Sequence, residues 1–283
     1  RFLPTLNHTD NIGYNRWYSC LKELVEKKVH IDGSSAENPA FTRCSVEFQI
    51  FKQIESGFER IVNNNPSLVL DKLFVEKTNI MTEWYSNSVT FNYVNTLLKL
   101  ATRKIIATFN NEISVLEVGG GTGGATALII DEFTAKNTRY TFTDVSNYFI
   151  HKATKRFAEY DFMSFKKLNA AKSYQLQGFE KYDIVIANNV MHDVHPIQTS
   201  LLHAYDALNN NGLFIMIEIT NPNIWFHCCF GGLLQMWEYG DDDIRNTRFW
   251  LKCDEWENIL KTTGFAKVSI LKSYNHSLIV AQK

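Results

Sequence analysis

The chain has 283 residues, 45% of them hydrophobic, enough for one large core or a core with an appendage. Its formal net charge of −1 argues against nucleic acid as a main partner, which would need a basic face. No apolar run approaches the ~18 residues of a membrane span, and the N-terminal RFLPTLNHTD has no signal-peptide pattern.

In chain order, residues 1–30 predict one amphipathic helix. Tyr14, Trp17, Tyr18, Leu21, Leu24 and Val25 recur at helical spacing, with Lys22, Glu23 and Lys27 facing away. Residues 31–39 read as a loop. A second helix is expected over about 44–62, with Ile50, Phe51, Ile54, Phe58, Ile61 and Val62 on one face and a break at 63–66. A shorter helix follows to about Phe74, then a polar turn at 86–88 and a long helix to about Phe109. No strand pattern precedes Ser114, so residues 1–110 are expected to form a helical subdomain and residues 111–283 a core.

In that core, strands are expected at 114–118, 139–143, 163–168, 183–188, 213–219, 267–272 and 277–282. Helices are expected after Gly124, over about 146–160 and 197–208, and from a cap at Asp254 to Thr263, with Gly264 ending the last. Residues 209–212 read as a turn and 220–251 as a long irregular stretch. This alternation predicts a doubly wound α/β sheet. The five cysteines are odd in number and form no CxxC pair, so they read as buried free thiols in a reducing, cytoplasmic compartment. A chain beginning at Arg1 and not at Met reads as a piece of a longer protein.

The chain is organised around SVLEVGGGTGGAT, Ser114 to Thr126. A short strand runs into a glycine turn and then into a helix, the arrangement of a site for a nucleotide-like ligand. Glycines let the ligand approach the backbone and allow positive φ. A purely structural turn between a buried strand and a helix is the competing reading. Glu117 precedes the turn, and Asp144, followed by Val145, ends the next strand. An acidic residue ~20 positions after such glycines is placed to accept bonds from ribose hydroxyls.

Ligands in open α/β sheets lie beyond the carboxyl ends of the strands. The residues there are the glycines, Asp144, Asn169 and Ala170, then Asn188 through Asp193, and Glu218. His192 is the candidate base, because an unperturbed imidazole titrates near ~6.5. Glu218 is placed to orient it, since His192 lies a few residues past strand four and Glu218 near the end of strand five, its neighbour in this topology. Asp193 reads either as an orienting carboxylate or as a helix cap, and His192 itself competes with a plain loop or cap residue. A metal reading of His192-Asp193-x-His195 lacks diagnostic spacing, so no metal site is assigned. Asp241, Asp242 and Asp243 read as a solvated loop. Trp225, Phe226, Phe230, Trp237 and Tyr239 read as core or as the lining of a substrate pocket, and Tyr85 as a residue that can reach over a ligand.

VLEVGGGTGGAT, YTFTDVS, GFEKYDIVIANNVMHDVH, LNNNGLFIMIEIT and FGGLLQMWEYGDDDIR, followed by DEWENILKTTGF, occur in one order. Together they resemble the S-adenosylmethionine-dependent methyltransferase domains of modular polyketide synthases. The first motif of that class is written E/D-x-G-x-G-x-G, matched here by Glu117, Gly119, Gly121 and Gly123. The resemblance covers Ser114 to Phe265 and, loosely, WYSNSVTFNYVN. It implies a Rossmann-like seven-stranded class I methyltransferase sheet, its last strand antiparallel, with an N-terminal helical lid.

The resemblance also implies a catalytic dyad of His192 and Glu218. Cofactor contacts would fall on the glycine turn, Asp144, the pair after strand three and the residue after strand four. Asn169 stands where the family often has aspartate, and Met236-Trp237-Glu238 replaces an aromatic pair common in carbon-methylating members. The implied partners are an acyl carrier protein bearing a phosphopantetheine-linked polyketide and the neighbouring synthase domains. The HDV context and the short helical section favour the β-hydroxyl oxygen as acceptor over the α-carbon of a β-ketoacyl chain. A free-standing small-molecule methyltransferase and a degenerate scaffold domain are the other readings.

Overall fold

The computed structural model describes residues 15, 16, 19, 22, 45–62, 73, 80–134, 136–231, 244, 245 and 248–283. The chain divides into two compact units, Arg1–Thr90 with Pro222–Trp250, and Phe91–Asn221 with Leu251–Lys283.

The first unit contains α1 (Ser45–Val62), α2 (Ile80–Asn87) and a short helix at Ile224–Cys229. On α1, Val46, Ile50 and Ile54 recur every four residues and are buried. Glu47 is buried beside them and accepts bonds from the Thr90 N–H and hydroxyl at 3.3 and 2.9 Å. Trp84 packs against Trp225, Phe226 and Phe230, with ring centroids 5.8, 6.4 and 4.9 Å away. These members of the aromatic run therefore pack with one another. Trp237, Tyr239, the acidic run at 241–243, the helix ending near Phe74 and most of the helix expected in 1–30 lie outside the described residues.

The stretch 220–251, expected to be irregular, carries the Ile224–Cys229 helix, capped by the Asn223 carboxamide oxygen on the Phe226 N–H at 2.9 Å. Six residues are too few to show a helical period. The expected polar turn at 86–88 narrows to Ser88, because α2 runs through Asn87 and α3 (Val89–Ala107) begins directly after it.

In the second unit α3 buries Phe91, Val94, Asn95, Leu98, Thr102 and Ile106, a stripe at helical spacing. Seven strands follow: β1 (Ile113–Val118), β2 (Thr138–Asp144), β3 (Met163–Lys167), β4 (Tyr182–Asn188), β5 (Leu208–Ile219), β6 (Lys267–Lys272) and β7 (His276–Gln282). They form one sheet in the order β3-β2-β1-β4-β5-β7-β6. The first five are parallel, and β7 is antiparallel to both β5 and β6, as expected. All of β1 is buried, which is why Ile113–Val118 reads as a nearly continuous apolar run. The strand order reverses between β1 and β4, so the ligand crevice of such a sheet opens beyond their carboxyl ends.

The helices of this unit are α4 (Gly124–Ile129), which continues as a 3₁₀ turn through Phe133, α5 (Asn147–Arg156), α6 (Ile197–Asp206) and α7 (Cys253–Thr263). Three boundaries differ from expectation. Helix α5 stops at Arg156 because Phe157 leaves the helical conformation (φ −110°, ψ 24°), and its ring packs 6.5 Å from that of Phe142. The turn expected at 209–212 is a bulge within β5. Leu208 pairs with Tyr182, pairing resumes at Leu213 with Ile184, and Asn211 takes φ 62°. Helix α7 starts at Cys253, with the Lys252 N–H held by Glu255 Oε2 at 2.7 Å, so Asp254 sits in the first turn and does not cap it. Among the described residues no helix is long and apolar enough to cross a membrane.

Candidate active site

Beyond β1 the chain turns sharply. Gly119, Gly121 and Gly123 take φ 64°, 52° and 73°, the left-handed region that side chains avoid. A Cβ on Gly121 would meet nothing nearer than the Gly119 carbonyl at 3.9 Å, so the turn presents open backbone there. A Cβ on Gly119 would lie 2.6 Å from Val190, and one on Gly120 would lie 2.1 Å from the Phe142 ring. Gly120, which the motif leaves unspecified, is therefore a packing glycine.

Asp144 ends β2 and holds this turn. Its Oδ2 accepts the Gly121 N–H at 2.9 Å and its Oδ1 the Ser146 N–H at 2.7 Å. Burial raises its pKa, opposed by the amides of Ser146, Gly121 and Val145. A carboxylate has about four acceptor positions, so beside these three amides it keeps capacity for a hydroxyl group. Val145, next in the chain, is exposed.

Glu117, expected to contact a ligand, instead commits its carboxylate to the core. It accepts from the Thr126 hydroxyl at 2.9–3.0 Å and from the Tyr140 hydroxyl at 2.8 Å, and it is 1% exposed. Burial pushes its pKa up to about 7 against those two bonds. The trio ties α4 to β1 and β2 directly under the glycine turn. Thr126 and Tyr140 escaped sequence reading, although a glutamate inside a buried strand demands donors on its neighbours.

The chain leaves β4 through Asn189 at φ 54°, whose N–H bonds the Ile217 carbonyl at 2.7 Å. Val190 and a single 3₁₀ turn, Met191–Asp193, follow. Glu218, fully buried on β5, reaches across. Its Oε1 accepts the Val190 and Met191 N–H groups at 3.2 and 2.8 Å, and its Oε2 lies 2.7 Å from His192 Nδ1. An ionised carboxylate can only accept, so Nδ1 is the donor of this bond, and in the neutral tautomer that fits it the lone pair is on Nε2. The structure thus brings His192 and Glu218 together as a buried pair, with Nδ1 of the ring facing the carboxylate.

Asp193 is exposed, and Glu218 already occupies Nδ1. Nor does Asp193 cap α6, whose N-cap is Pro196. His276, which sequence reading passed over, is buried on β7 opposite Ile219, its ring 4.4 Å from that of Phe91. Burial first, and second repulsion from His192 when that ring is protonated, push its pKa down to about 3, so His276 is neutral.

Asn169 Oδ1 bonds the Ala171 N–H at 2.9 Å, and Gln177 brackets the Asn169 backbone at both ends, which fixes the Asn169–Ala170 turn after β3. Both amide atoms of Asn188 are buried without a hydrogen-bond partner among the described residues. Because Val118 pairs with Ala187, Asn188 lies level with Gly119. Tyr85 lies on α2 in the first unit, its ring 5.0 Å from that of Trp84. Among the described residues no cluster of three or more metal-ligating side chains forms.

Residues 116–214 match the model of a methyltransferase domain. By sequence the chain is 33% identical over 216 residues to lovastatin nonaketide synthase mokA of Monascus pilosus, covering 73% of the chain. It is 40% identical over 170 residues, 59% of the chain, to the polyketide synthase-nonribosomal peptide synthetase pyiS of Pyricularia grisea. It spans only 7% and 4% of those two proteins. By structure it superposes on the CurJ carbon methyltransferase with a TM-score of 0.83 at 24% identity, over 96% of the chain and 80% of CurJ. The CMeT domain of the citrinin polyketide synthase gives 0.83 at 22%, over 94% and 78%. The trans-methyltransferase CalH, solved with SAH, gives 0.75 at 22%, over 99% and 85%. The core is an S-adenosylmethionine-dependent methyltransferase domain.

The residues beyond β1, β2 and β4 fit that donor. The open face of Gly121 admits its backbone contacts, Asp144 keeps acceptor capacity for ribose hydroxyls, and the unsatisfied Asn188 amide calls for a polar group level with Gly119. When bound, S-adenosylmethionine supplies an electrophilic methyl group. The protein's part is to hold donor and acceptor in line and to remove the acceptor's proton.

Proposed function

We propose that this chain is the methyltransferase domain of a polyketide synthase, and that it methylates the α-carbon of a β-ketoacyl intermediate on an acyl carrier protein. The carrying observation is the buried His192–Glu218 pair, 2.7 Å between Nδ1 and Oε2, on a loop that meets the glycine turn. His192 Nε2 removes the α-proton. Glu218 holds the neutral tautomer and then stabilises the imidazolium. An α-carbon between two carbonyls is far more acidic than an alcohol, so its proton is the better match for a single imidazole. Likeness to proteins named as carbon methyltransferases over 94–99% of the chain, and sequence likeness to polyketide synthases, support the reading.

Transfer to a β-hydroxyl oxygen is the second reading, favoured by the HDV context after His192. Either way the partners would be the acyl carrier protein and the adjoining synthase domains, with S-adenosylhomocysteine as co-product. The test is incubation with paired β-ketoacyl and β-hydroxyacyl carrier proteins and a ¹³C-methyl donor. Label on the α-carbon of the ketoacyl chain supports the proposal. Label only on oxygen overturns it in favour of the second reading, and label on neither overturns both.

A further inference from the structure

A cavity of about 390 Å³ opens on the second unit where β5 ends, α7 begins and β6 turns into β7. Its floor is buried and hydroxylic. Thr220 and Ser277 bond each other at 2.8 Å, and the Cys253 sulfur lies 3.4 Å from the Ser277 hydroxyl. Its rim is exposed and basic. Lys252 precedes α7, Lys272 ends β6, and Ser273 and Tyr274 form the turn between β6 and β7. Neither ammonium group is in an ion pair among the described residues. Asp254 also lines the cavity, so its formal charge is +1 (two lysines less one aspartate).

The floor is tied to the candidate active site by register. Ser277 is the strand partner of Glu218, and Thr220 lies two residues beyond Glu218. Side chains two apart on a strand, or directly opposite across a ladder, share one face of the sheet. The cavity floor thus starts within about 7 Å of the backbone that carries the Glu218 carboxylate.

We infer that this cavity receives the phosphate of the carrier protein's phosphopantetheine arm, held by Lys252 and Lys272 at the rim with the arm directed towards the hydroxyl floor. The inference rests on the carrier-tethered reading above. Two unpaired ammonium groups on separate elements suit the oxygens of a phosphate ester. The exposed ring of Tyr274 offers the arm an apolar surface. The Thr220 and Ser277 hydroxyls can bond its amides.

Direct binding tests this without catalysis. The 283-residue chain is titrated calorimetrically with 4′-phosphopantetheine, with pantetheine and with inorganic phosphate. Phosphopantetheine should bind roughly tenfold or more tighter than either of the others, the scale of charge-assisted hydrogen bonds. Lys252→Ala/Lys272→Ala should abolish that preference, with S-adenosylhomocysteine affinity kept as the check of folding. Equal binding of pantetheine, equal binding of inorganic phosphate, or an undiminished preference in the double variant overturns the assignment. The carrier-protein assay above reads the methyl-transfer proposal separately. A chain that transfers methyl groups but ignores the phosphate sinks only this site. A chain that prefers phosphopantetheine but transfers no methyl group sinks only the reaction.

Discussion

Glu117→Gln should change how stability depends on pH, by an amount that follows from the burial of this carboxyl. Folding raises its pKa from 4.5 to about 7, chiefly by burial, which amounts to roughly 3 kcal/mol of differential stabilisation of the protonated form. The folded state holds this proton more tightly than the unfolded state. Its stabilising contribution is therefore complete below about pH 4.5 and is lost as pH rises through about 7. Glutamine is neutral throughout and keeps one oxygen for the Thr126 and Tyr140 hydroxyls, so its cost is a constant offset. Urea unfolding at intervals from pH 4.5 to 8 isolates the effect as the stability of wild type minus that of the variant, in which titration of all other groups cancels. That difference should fall by roughly 3 kcal/mol across the range, most steeply between pH 5 and 7. A difference constant to within about 0.5 kcal/mol would refute the argument, because it would mean the carboxyl ionises in the core without penalty.

His192→Ala and Glu218→Gln should each reduce methyl transfer by about 10²–10⁴-fold while leaving S-adenosylhomocysteine affinity unchanged, by labelled-methyl assay and calorimetry. Full turnover in either variant would remove that residue from the mechanism. Asp144→Ala should weaken cofactor binding by about 1–3 kcal/mol by calorimetry, the cost of unmatched hydroxyl bonds plus a loosened Gly121, and unchanged affinity would put the ribose elsewhere. Gly120→Ala should destabilise the chain by about 1–3 kcal/mol in urea, because its methyl would lie 2.1 Å from the Phe142 ring, and Phe142→Leu should recover part of that loss. A neutral Gly120→Ala would mean the ring can move aside.

The core was legible where burial or turn chemistry leaves a pattern. Strand β1 declares itself because both faces are covered and five apolar or small residues flank one glutamate. Gly264 ends α7 because only its positive φ of 121° continues the chain there. The bulge in β5 was not legible, since Asn209 to Gly212 has the composition of a turn and nothing local shows that pairing resumes beyond it. In the site, the positions of His192 and Asp144 follow from the rule that ligands lie beyond strand ends. The choice of Glu218 over Asp193 as partner does not follow from sequence distance. It depends on β5 lying beside β4, a fact of topology. Glu117 misled because its place in the motif is the same whether its carboxylate faces a ligand or the hydroxyls of Thr126 and Tyr140. Gly120 was invisible for a similar reason: the ring that excludes a side chain there comes from a neighbouring strand.

One chain of contacts joins the donor turn to the base. Gly119 has no room for a Cβ because Val190 packs against it, and Val190 is held by its N–H on Glu218 Oε1. The other oxygen of the same carboxylate holds the imidazole. A buried carboxylate with three donors has little freedom to move, so the loop and the ring are positioned together. The first glycine of the motif is thus required by the base loop as well as by its own backbone conformation. A side chain there would press on Val190 and so on the residue whose amide Glu218 uses to set the loop. The contact of the glycine turn with the loop that carries His192 is in that sense a packing consequence of a single strand-end carboxylate. Every member of the chain lies in the turn after β1, in the loop after β4 or on β5.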